Sequence, residues 1–280
     1  GLFTQGMVCH ETYKDQQKNW LSPEEVFSED GKNFYKKNNS KEKILVGPIE
    51  SMSKSKKNTI DPENIIKNYG ADSVRLFILS DSPPEKDVQW SDQGMLASYK
   101  FIQKLWVLHS KILEKIKTDK STSKADSLTK FTNESVYKIT QNLEKFHYNV
   151  IVANLHQVYN FLIKEIEKPI KKSILIENYK KILILMNPFI PHFSNECLAN
   201  IGQEEIKWPM VEKDLLIGSH VNIVVQINGK KRAILKTNRD KNETEILEEI
   251  KKNSEISKFI EDRDIKRSIL VPNRIINIIV

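Results

Sequence analysis

The amino-acid sequence predicts a mainly α, multidomain protein in which a helical bundle lies between a polar N-terminal part and a small α+β module. Through most of residues 91–201 the apolar side chains recur three or four positions apart, as on the buried face of a helix. After Trp208 this spacing gives way to β-branched runs separated by turn residues. The length of 280 residues leaves room for about two domains of roughly 150 residues each.

Composition narrows the classes of function. Hydrophobic residues make up 39% of the sequence and charged residues 29%, and no apolar stretch approaches the roughly 18 residues that a membrane-spanning helix needs. A net charge of +7 favours an anionic partner such as nucleic acid or a nucleotide, although a codon bias toward lysine explains the same excess. The distant cysteines Cys9 and Cys197 predict neither a disulfide framework nor a cysteine-rich zinc site.

The N-terminal part is predicted to decorate a core rather than to form one. Residues 2–8 have the composition of a buried strand with no basic leader before it, so we expect the chain to begin inside a domain. The polar stretch at about 9–50 has little sustained periodicity and is expected to be an insertion. Within it, Ser22 before Pro23 and Glu25 marks one short helix start.

Helices are predicted through the middle of the chain from caps, breakers and apolar spacing. Asp61 before Pro62 begins the first, which ends at Gly70. The later helices are predicted at residues 71–80, 91–116, 131–146, 153–167, 170–186 and 193–201, with a polar linker at 118–130. Their apolar stripes predict a bundle of antiparallel neighbours with a shared core, rather than a cofactor site.

The C-terminal module is predicted to be α+β. A β-branched run at 221–227 leads into Asn228-Gly229, which is a strong type I′ hairpin signal, and residues 232–235 return as the partner strand. Asn242 or Thr244 caps a helix that runs to about residue 253. Residues 265–271 and 275–280 are predicted to add further strands.

Residues 51–58 carry the clearest chemistry. They place Lys54, Lys56 and Lys57 among small hydroxyl residues directly before the helix cap at Asp61. Phosphate chemistry needs mobile positive charge near the developing negative oxygens, together with hydroxyl and backbone donors that position them. A solvated basic loop in a lysine-rich chain is the alternative on composition alone.

Residues 52–55, Met-Ser-Lys-Ser, resemble the K-M-S-K-S loop of the class I aminoacyl-tRNA synthetases. Residues 69–77, which read Tyr-Gly-Ala-Asp-Ser-Val-Arg-Leu-Phe, are similar to the Y-G-A-D-x-x-R pattern that follows the loop in that family. Further segments resemble the bacterial-type leucyl members: Gln5-Gly6-Met7-Val8, Trp90-Ser91-Asp92-Gln93-Gly94, Asn187-Pro188-Phe189-Ile190-Pro191-His192 and Val224-Val225-Gln226-Ile227-Asn228-Gly229-Lys230. A valyl or isoleucyl enzyme is the alternative within the class.

The resemblance implies ATP-dependent activation of leucine to leucyl-adenylate and its transfer to tRNA(Leu), with Mg²⁺ as the counter-ion of ATP. Lys54 is implied as the catalytic residue that stabilises the triphosphate. The implied ATP-binding residues are Met52, Ser53, Lys54, Ser55, Lys56 and Lys57. Ser51 stands where the family has the first lysine of the loop, which weakens the cationic field there. A cytoplasmic monomer without a membrane partner is implied.

The resemblance also implies three domains. Residues 1–84 would be the end of a class I, Rossmann-type catalytic domain, with its insertion at about 9–50 and its loop at 51–58. Residues 85–207 would be a helical-bundle anticodon-binding domain and 208–280 an α+β tRNA-binding domain. None of the six histidines lies in an H-x-G-H motif. We therefore expect the chain to be the C-terminal third of the enzyme and inactive alone.

Two further sites are considered. Lys230, Lys231 and Arg232 extend from the hairpin turn, where long cations reach phosphates, and the resemblance favours tRNA over a merely solvated turn. No metal site is predicted, because the consecutive residues Cys9, His10 and Glu11 are poorly placed to converge on one ion. A tRNA-binding protein that has lost catalysis is the alternative function, motivated by Ser51.

Overall fold

The computed structural model describes residues 4–203, 206–216, 220–238, 241–260, 263 and 265–280. It divides into two compact units, residues 1–211 and 212–280. The first unit holds an N-terminal group of strands and a helical bundle, and the second is α+β. The finer division at residues 84 and 207 stays a prediction.

The first unit contains the short strands β1 (Val8–Lys14), β2 (Trp20–Leu21), β3 (Val26–Phe27), β4 (Tyr35–Lys36), β5 (Asn39–Lys43), β6 (Leu45–Ser51) and β7 (Val88–Gln89). One sheet has the order β2-β1-β6, with β7 parallel to β1, and a second has the order β3-β4-β5. A small core of Tyr13, Leu21, Val26 and Ile44 lies between the insertion strands.

The structure corrects the predicted opening strand. Residues 4–7 form no strand, β1 begins at Val8, and residues 2–3 lie outside the described residues. The Gly6 N–H donates to the Pro84 carbonyl at 2.8 Å, and a Cβ on Gly6 would overlap the backbone of Lys86. A close crossing of two backbones therefore precedes β1. Short, half-polar strands also occupy much of the stretch predicted to lack periodicity. β6 pairs with β1, which is remote in the sequence, whereas β3, β4 and β5 pair with their neighbours along the chain.

The bundle helices are α1 (Pro62–Tyr69), α2 (Ala71–Ser80), α3 (Asp92–Thr118), α4 (Asp126–Glu144), α5 (Tyr148–Glu165), α6 (Lys172–Met186) and α7 (Pro191–Asn200). The predicted cap at Asp61 is confirmed, because its side chain accepts from the Glu63 N–H. Ser91, where the helical pattern was predicted to begin, caps α3 by accepting from the Gly94 N–H. Gly70, with φ of +80°, separates α1 from α2. The predicted linker at 118–130 is too long, since α4 already begins at Asp126.

The second unit contains α8 (Lys213–Leu216), β8 (His220–Ile227), β9 (Lys230–Asn238), α9 (Glu243–Lys252), α10 (Ser254–Ser257), β10 (Arg267–Val271) and β11 (Ile275–Ile279). Its sheet has the order β10-β11-β8-β9, in which β11 and β8 are parallel. The type I′ turn is confirmed, because Asn228 and Gly229 have φ of +50° and +78°. Asn242 caps α9 in a capping box with Glu245.

Candidate functional site: the lysine loop and its supports

The lysine loop, residues 51–58, continues from the end of β6 alongside β1. Met52 N–H donates to the Val8 carbonyl at 3.1 Å, which extends the pairing of the two strands by one step. Residues 54–57 then turn, with Lys57 N–H 3.3 Å from the Lys54 carbonyl. Lys57 has φ of +55°, the left-handed conformation that ends the turn. The loop is therefore a short, hydrogen-bonded turn between a sheet edge and helix α1.

The three lysines of the loop differ in the charged groups that lie near them. Lys54 is exposed, and no carboxylate of the described residues lies within ion-pair distance of its ammonium group. Lys56 forms an ion pair with Glu50 at the end of β6. The Ser22 N–H lowers the pKa of Glu25, and the charge of Lys57 lowers it further. Lys54 is thus the loop cation whose charge is least compensated.

Hydroxyl groups and one amide complete the loop. The Ser53 and Ser55 hydroxyls are 2.7 Å apart and share a hydrogen bond, so the two side chains lie on the same side of the turn. The Asn58 side chain is completely buried at the base of the loop. Asn58 was not predicted as a site residue, and the signal for it was its place at the end of the loop.

Two of the segments that resemble the family, residues 69–77 and 187–192, contact each other. The carboxylate of Asp72, in α2, accepts from the backbone N–H groups of His192 (3.2 Å) and Phe193 (2.7 Å) at the start of α7. The His192 ring nitrogen Nδ1 lies 2.9 Å from the same carboxylate. Arg75 donates to the carbonyls of Pro188 (2.7 Å) and Phe189 (3.2 Å).

These contacts fix α2, the second helix after the lysine loop, against α7 and the segment before it. Asp72 is 7% exposed, so its charge is balanced by the N-terminus of α7 rather than by water. Arg75 joins α2 to the segment before α7 through two backbone carbonyl groups. No local pattern of residues indicated that the segments around Asp72 and His192 would meet.

The basic cluster of the second unit, Lys230, Lys231 and Arg232, lies at the start of β9 directly after the turn, and all three residues are exposed. The Arg232 guanidinium lies over the Phe259 ring, 5.3 Å from its centroid, as does the ammonium of Lys258. The structure therefore adds Lys258 and an aromatic surface that sequence spacing did not show.

Metal-binding groups are not assembled in the part of the chain that is described. No cluster of three or more histidine, cysteine or acidic side chains occurs among those residues. The Glu11 carboxylate accepts a hydrogen bond from Tyr13 at 2.9 Å, and Cys9 and Cys197 are buried free thiols.

Of the helices described, none is both long and apolar enough to cross a membrane.

Comparison with known proteins assigns two stretches of the chain to known families. Residues 10–91 match the family of class I tRNA synthetases (I, L, M and V), and residues 126–248 match the anticodon-binding domain of tRNA ligase. The lysine loop, α1 and α2 fall inside the first match and most of the bundle inside the second. The chain belongs to the class I aminoacyl-tRNA synthetases.

The relatives define the family within that class. All of the chain aligns with leucine–tRNA ligase of Bartonella henselae at 36% identity and of Orientia tsutsugamushi at 39%, covering 33% of each relative. The ternary complex of Agrobacterium radiobacter K84 agnB2 LeuRS with tRNA and LeuAMS matches 82% of this chain and 31% of its own, with a TM-score of 0.70 and 26% identity. The chain belongs to the leucine–tRNA ligase family and spans about a third of the length of the curated relatives it matches.

Proposed function

We propose that this chain supplies the lysine loop and the tRNA-binding elements of a leucine–tRNA ligase. The observation that carries the proposal is the charge of Lys54, which no described carboxylate pairs, on a hydrogen-bonded turn between a sheet edge and a helix N-terminus. The relatives named leucine–tRNA ligase, and the solved LeuRS complex with tRNA and LeuAMS, support the choice of amino acid and of partner.

In the proposed reaction, a carboxylate oxygen of leucine attacks the α-phosphorus of ATP. The bond from that phosphorus to the bridging oxygen breaks, so that leucyl-adenylate and pyrophosphate form. Lys54 stabilises the negative charge that develops on the triphosphate. The hydroxyls of Ser53 and Ser55 position the nucleotide, and Met52, whose N–H is bonded to the Val8 carbonyl, shapes the loop. Lys56 and Lys57 add to the positive field, and Mg²⁺ accompanies ATP.

In the second proposed step, a hydroxyl of the terminal ribose of tRNA(Leu) attacks the leucyl carbonyl and AMP leaves. The exposed cluster of Lys230, Lys231 and Arg232 holds tRNA through its phosphates without reading bases. The complete protein is proposed to act as a monomer in the cytoplasm, and its leucine pocket lies outside this chain.

A second candidate function is a tRNA-binding protein that no longer catalyses adenylate formation. Ser51 favours this candidate, since it stands in place of the first loop lysine of the family. The pairing of Lys56 with Glu50 sharpens the question, because Lys56 is then a weak substitute for the missing charge.

Aminoacylation of total tRNA by the full-length gene product decides between the two candidates. Leucine, isoleucine, valine and methionine are offered in parallel, with this 280-residue chain as the control. We expect charging with leucine alone and none by the isolated chain. If no amino acid is charged while the chain binds tRNA in a salt-sensitive way, the proposal of catalysis is wrong and the binding function stands.

A further inference from the structure

We propose that Asn58 is a positioning residue of the lysine loop: its buried side-chain amide fixes the base of the loop and thereby the point from which Lys54 reaches its substrate. The proposal rests on the proposed function of the loop and adds to it a residue that neither touches the nucleotide nor carries charge.

The Asn58 amide joins three separate pieces of backbone. Its Nδ2 lies 3.3 Å from the His10 carbonyl on β1 and 3.3 Å and 3.4 Å from the carbonyls of Glu50 and Ser51 at the end of β6. Its Oδ1 accepts from the Ser53 N–H at 2.8 Å. The side chain is 0% exposed, so water does not compete for these bonds.

The surrounding groups require an amide at this position. Three carbonyl oxygens face Nδ2 and one N–H faces Oδ1, and an asparagine side chain supplies two donors and an acceptor in one plane. An ionised carboxylate of the same size would direct an oxygen without a proton at the carbonyls of His10, Glu50 and Ser51. A buried polar group left without its partner carries a large free-energy cost.

The hydrogen bonds of Asn58 constrain Lys54 through the loop backbone on either side of it. Ser53, which the amide holds, is adjacent to Lys54 in the chain, and the Lys54 carbonyl accepts from the Lys57 N–H, one residue before Asn58. The loop is thus closed into a ring at its base while the Lys54 side chain stays exposed. Fixing the backbone limits the region that the flexible lysine side chain explores.

The test compares two buried asparagines of the first unit in the full-length gene product. Asn58→Asp changes the amide at the loop base, and Asn178→Asp changes an amide that is 2% exposed in α6 and donates to the Ile174 carbonyl at 2.9 Å. We expect Asn58→Asp to lower kcat of leucine-dependent pyrophosphate exchange about 100-fold, the loss that a displacement of roughly 1 Å produces, with an unchanged KM for leucine. Asn178→Asp is expected to lower the melting temperature and to leave kcat unchanged.

A second variant and a second readout keep the result interpretable if Asn58→Asp folds poorly. Asn58→Ser retains one hydroxyl donor and is expected to lose an intermediate share of kcat. Hydrogen exchange, followed by mass spectrometry on the peptide that contains Ser53, is expected to accelerate in both Asn58 variants and not in Asn178→Asp. This readout needs no catalysis.

The outcomes separate this inference from the proposed function. If Lys54→Ala abolishes pyrophosphate exchange while Asn58→Asp retains the wild-type kcat, the positioning role of Asn58 is wrong and the role of Lys54 stands. If Lys54→Ala is active, the proposed function of the loop fails, whatever Asn58 does. Unchanged hydrogen exchange at Ser53 in the Asn58 variants would overturn the structural basis of the inference.

Discussion

The lysine loop at 51–58 and the hairpin turn before Lys230 are both basic turns stabilised by an asparagine, and they differ in where that asparagine lies. Asn58 is completely buried and bonds inward to two strands. Asn228 is exposed, and its Oδ1 accepts from the Val280 N–H at 3.2 Å. The lysine loop is therefore anchored by a buried side chain, whereas the hairpin turn is bonded to Val280 by an exposed one.

The difference matches the chemistry that we propose for each turn. Stabilising a transition state requires a charge held within a fraction of an ångström, and a buried network provides that constraint. Binding a nucleic-acid backbone requires only positive charge that can adapt to several phosphates, which the exposed cations after Asn228 provide. Rigid support therefore distinguishes a turn that acts on a reacting group from one that holds a polymer.

The largest expected effect is that of Lys54→Ala in the full-length gene product. Removing the uncompensated ammonium is expected to lower the rate of pyrophosphate exchange by about 100- to 1,000-fold. Lys56→Ala is the matched control within the same turn, and its effect is expected to stay below about fivefold because Glu50 already balances that charge. Equal losses in the two variants would contradict the distinction between these lysines.

Ser51 supplies a further control on the loop. Ser51→Lys restores the residue type that the family has there, and we expect it to change pyrophosphate exchange little because Lys54 carries the main role. A large gain in rate from this substitution would mean that the loop lacks a charge it needs, and would favour the candidate function without catalysis.

The next largest effect is expected at Asp72, which joins α2 to the start of α7. Asp72→Ala removes a buried carboxylate that holds the N–H groups of His192 and Phe193, and is expected to lower the free energy of unfolding by about 3 kcal/mol. Urea unfolding followed by circular dichroism measures this. Asp126→Ala, an exposed aspartate at the start of α4, is the control and should change it by less than about 0.5 kcal/mol.

A smaller effect is expected at the hairpin. Replacing Lys230, Lys231 and Arg232 together by glutamine is expected to weaken binding of total tRNA about tenfold at low salt. The affinity should also fall less steeply as salt is added, because the variant neutralises fewer phosphates. The control is the pair Lys251→Gln and Lys252→Gln on α9, two exposed cations of the same unit. Equally weak binding by the control would show that net charge alone is responsible.

The smallest expected effect concerns a histidine in the bundle core. Burial lowers the pKa of His109, against the opposing influence of Glu196, and its Nδ1 lies 2.9 Å from the Tyr179 hydroxyl. The folded state therefore protonates this imidazole only at a lower pH than the unfolded chain, in which histidine binds a proton below a pH of about 6.5. Its contribution to stability is complete above that pH and is lost as the pH falls further.

His109→Gln is expected to make the melting temperature less sensitive to acid between about pH 7 and pH 5. The measurement is thermal unfolding of the variant and the wild type in parallel buffers. His156, whose pKa burial also lowers, is present in both proteins and cancels in the comparison. A wild type and variant with parallel pH profiles would contradict the assignment to His109.

Local features could be predicted from the sequence and distant contacts could not. The predictions of the cap at Asp61, the break at Gly70 and the turn at Asn228 are confirmed, because each depends on residues within four positions of itself. The start of β1 was missed because its partners β6 and β7 are remote in sequence. The insertion strands β3, β4 and β5 pair with chain neighbours, and they were missed because they are only two to five residues long. Short strands with polar outer faces leave little periodicity to detect.

The sequence by itself determined the mainly α class, the type I′ turn, and the lysine loop together with the family that it marks, because these are written in short runs of neighbouring residues. Only the tertiary structure decided that Lys56 is paired while Lys54 has no carboxylate partner among the described residues, and that Asp72 caps a helix 120 residues away. The same holds for Asn58, whose bond to His10 spans 48 residues. Burial and ion pairing depend on which distant segments meet, and no local pattern of residues fixes that meeting.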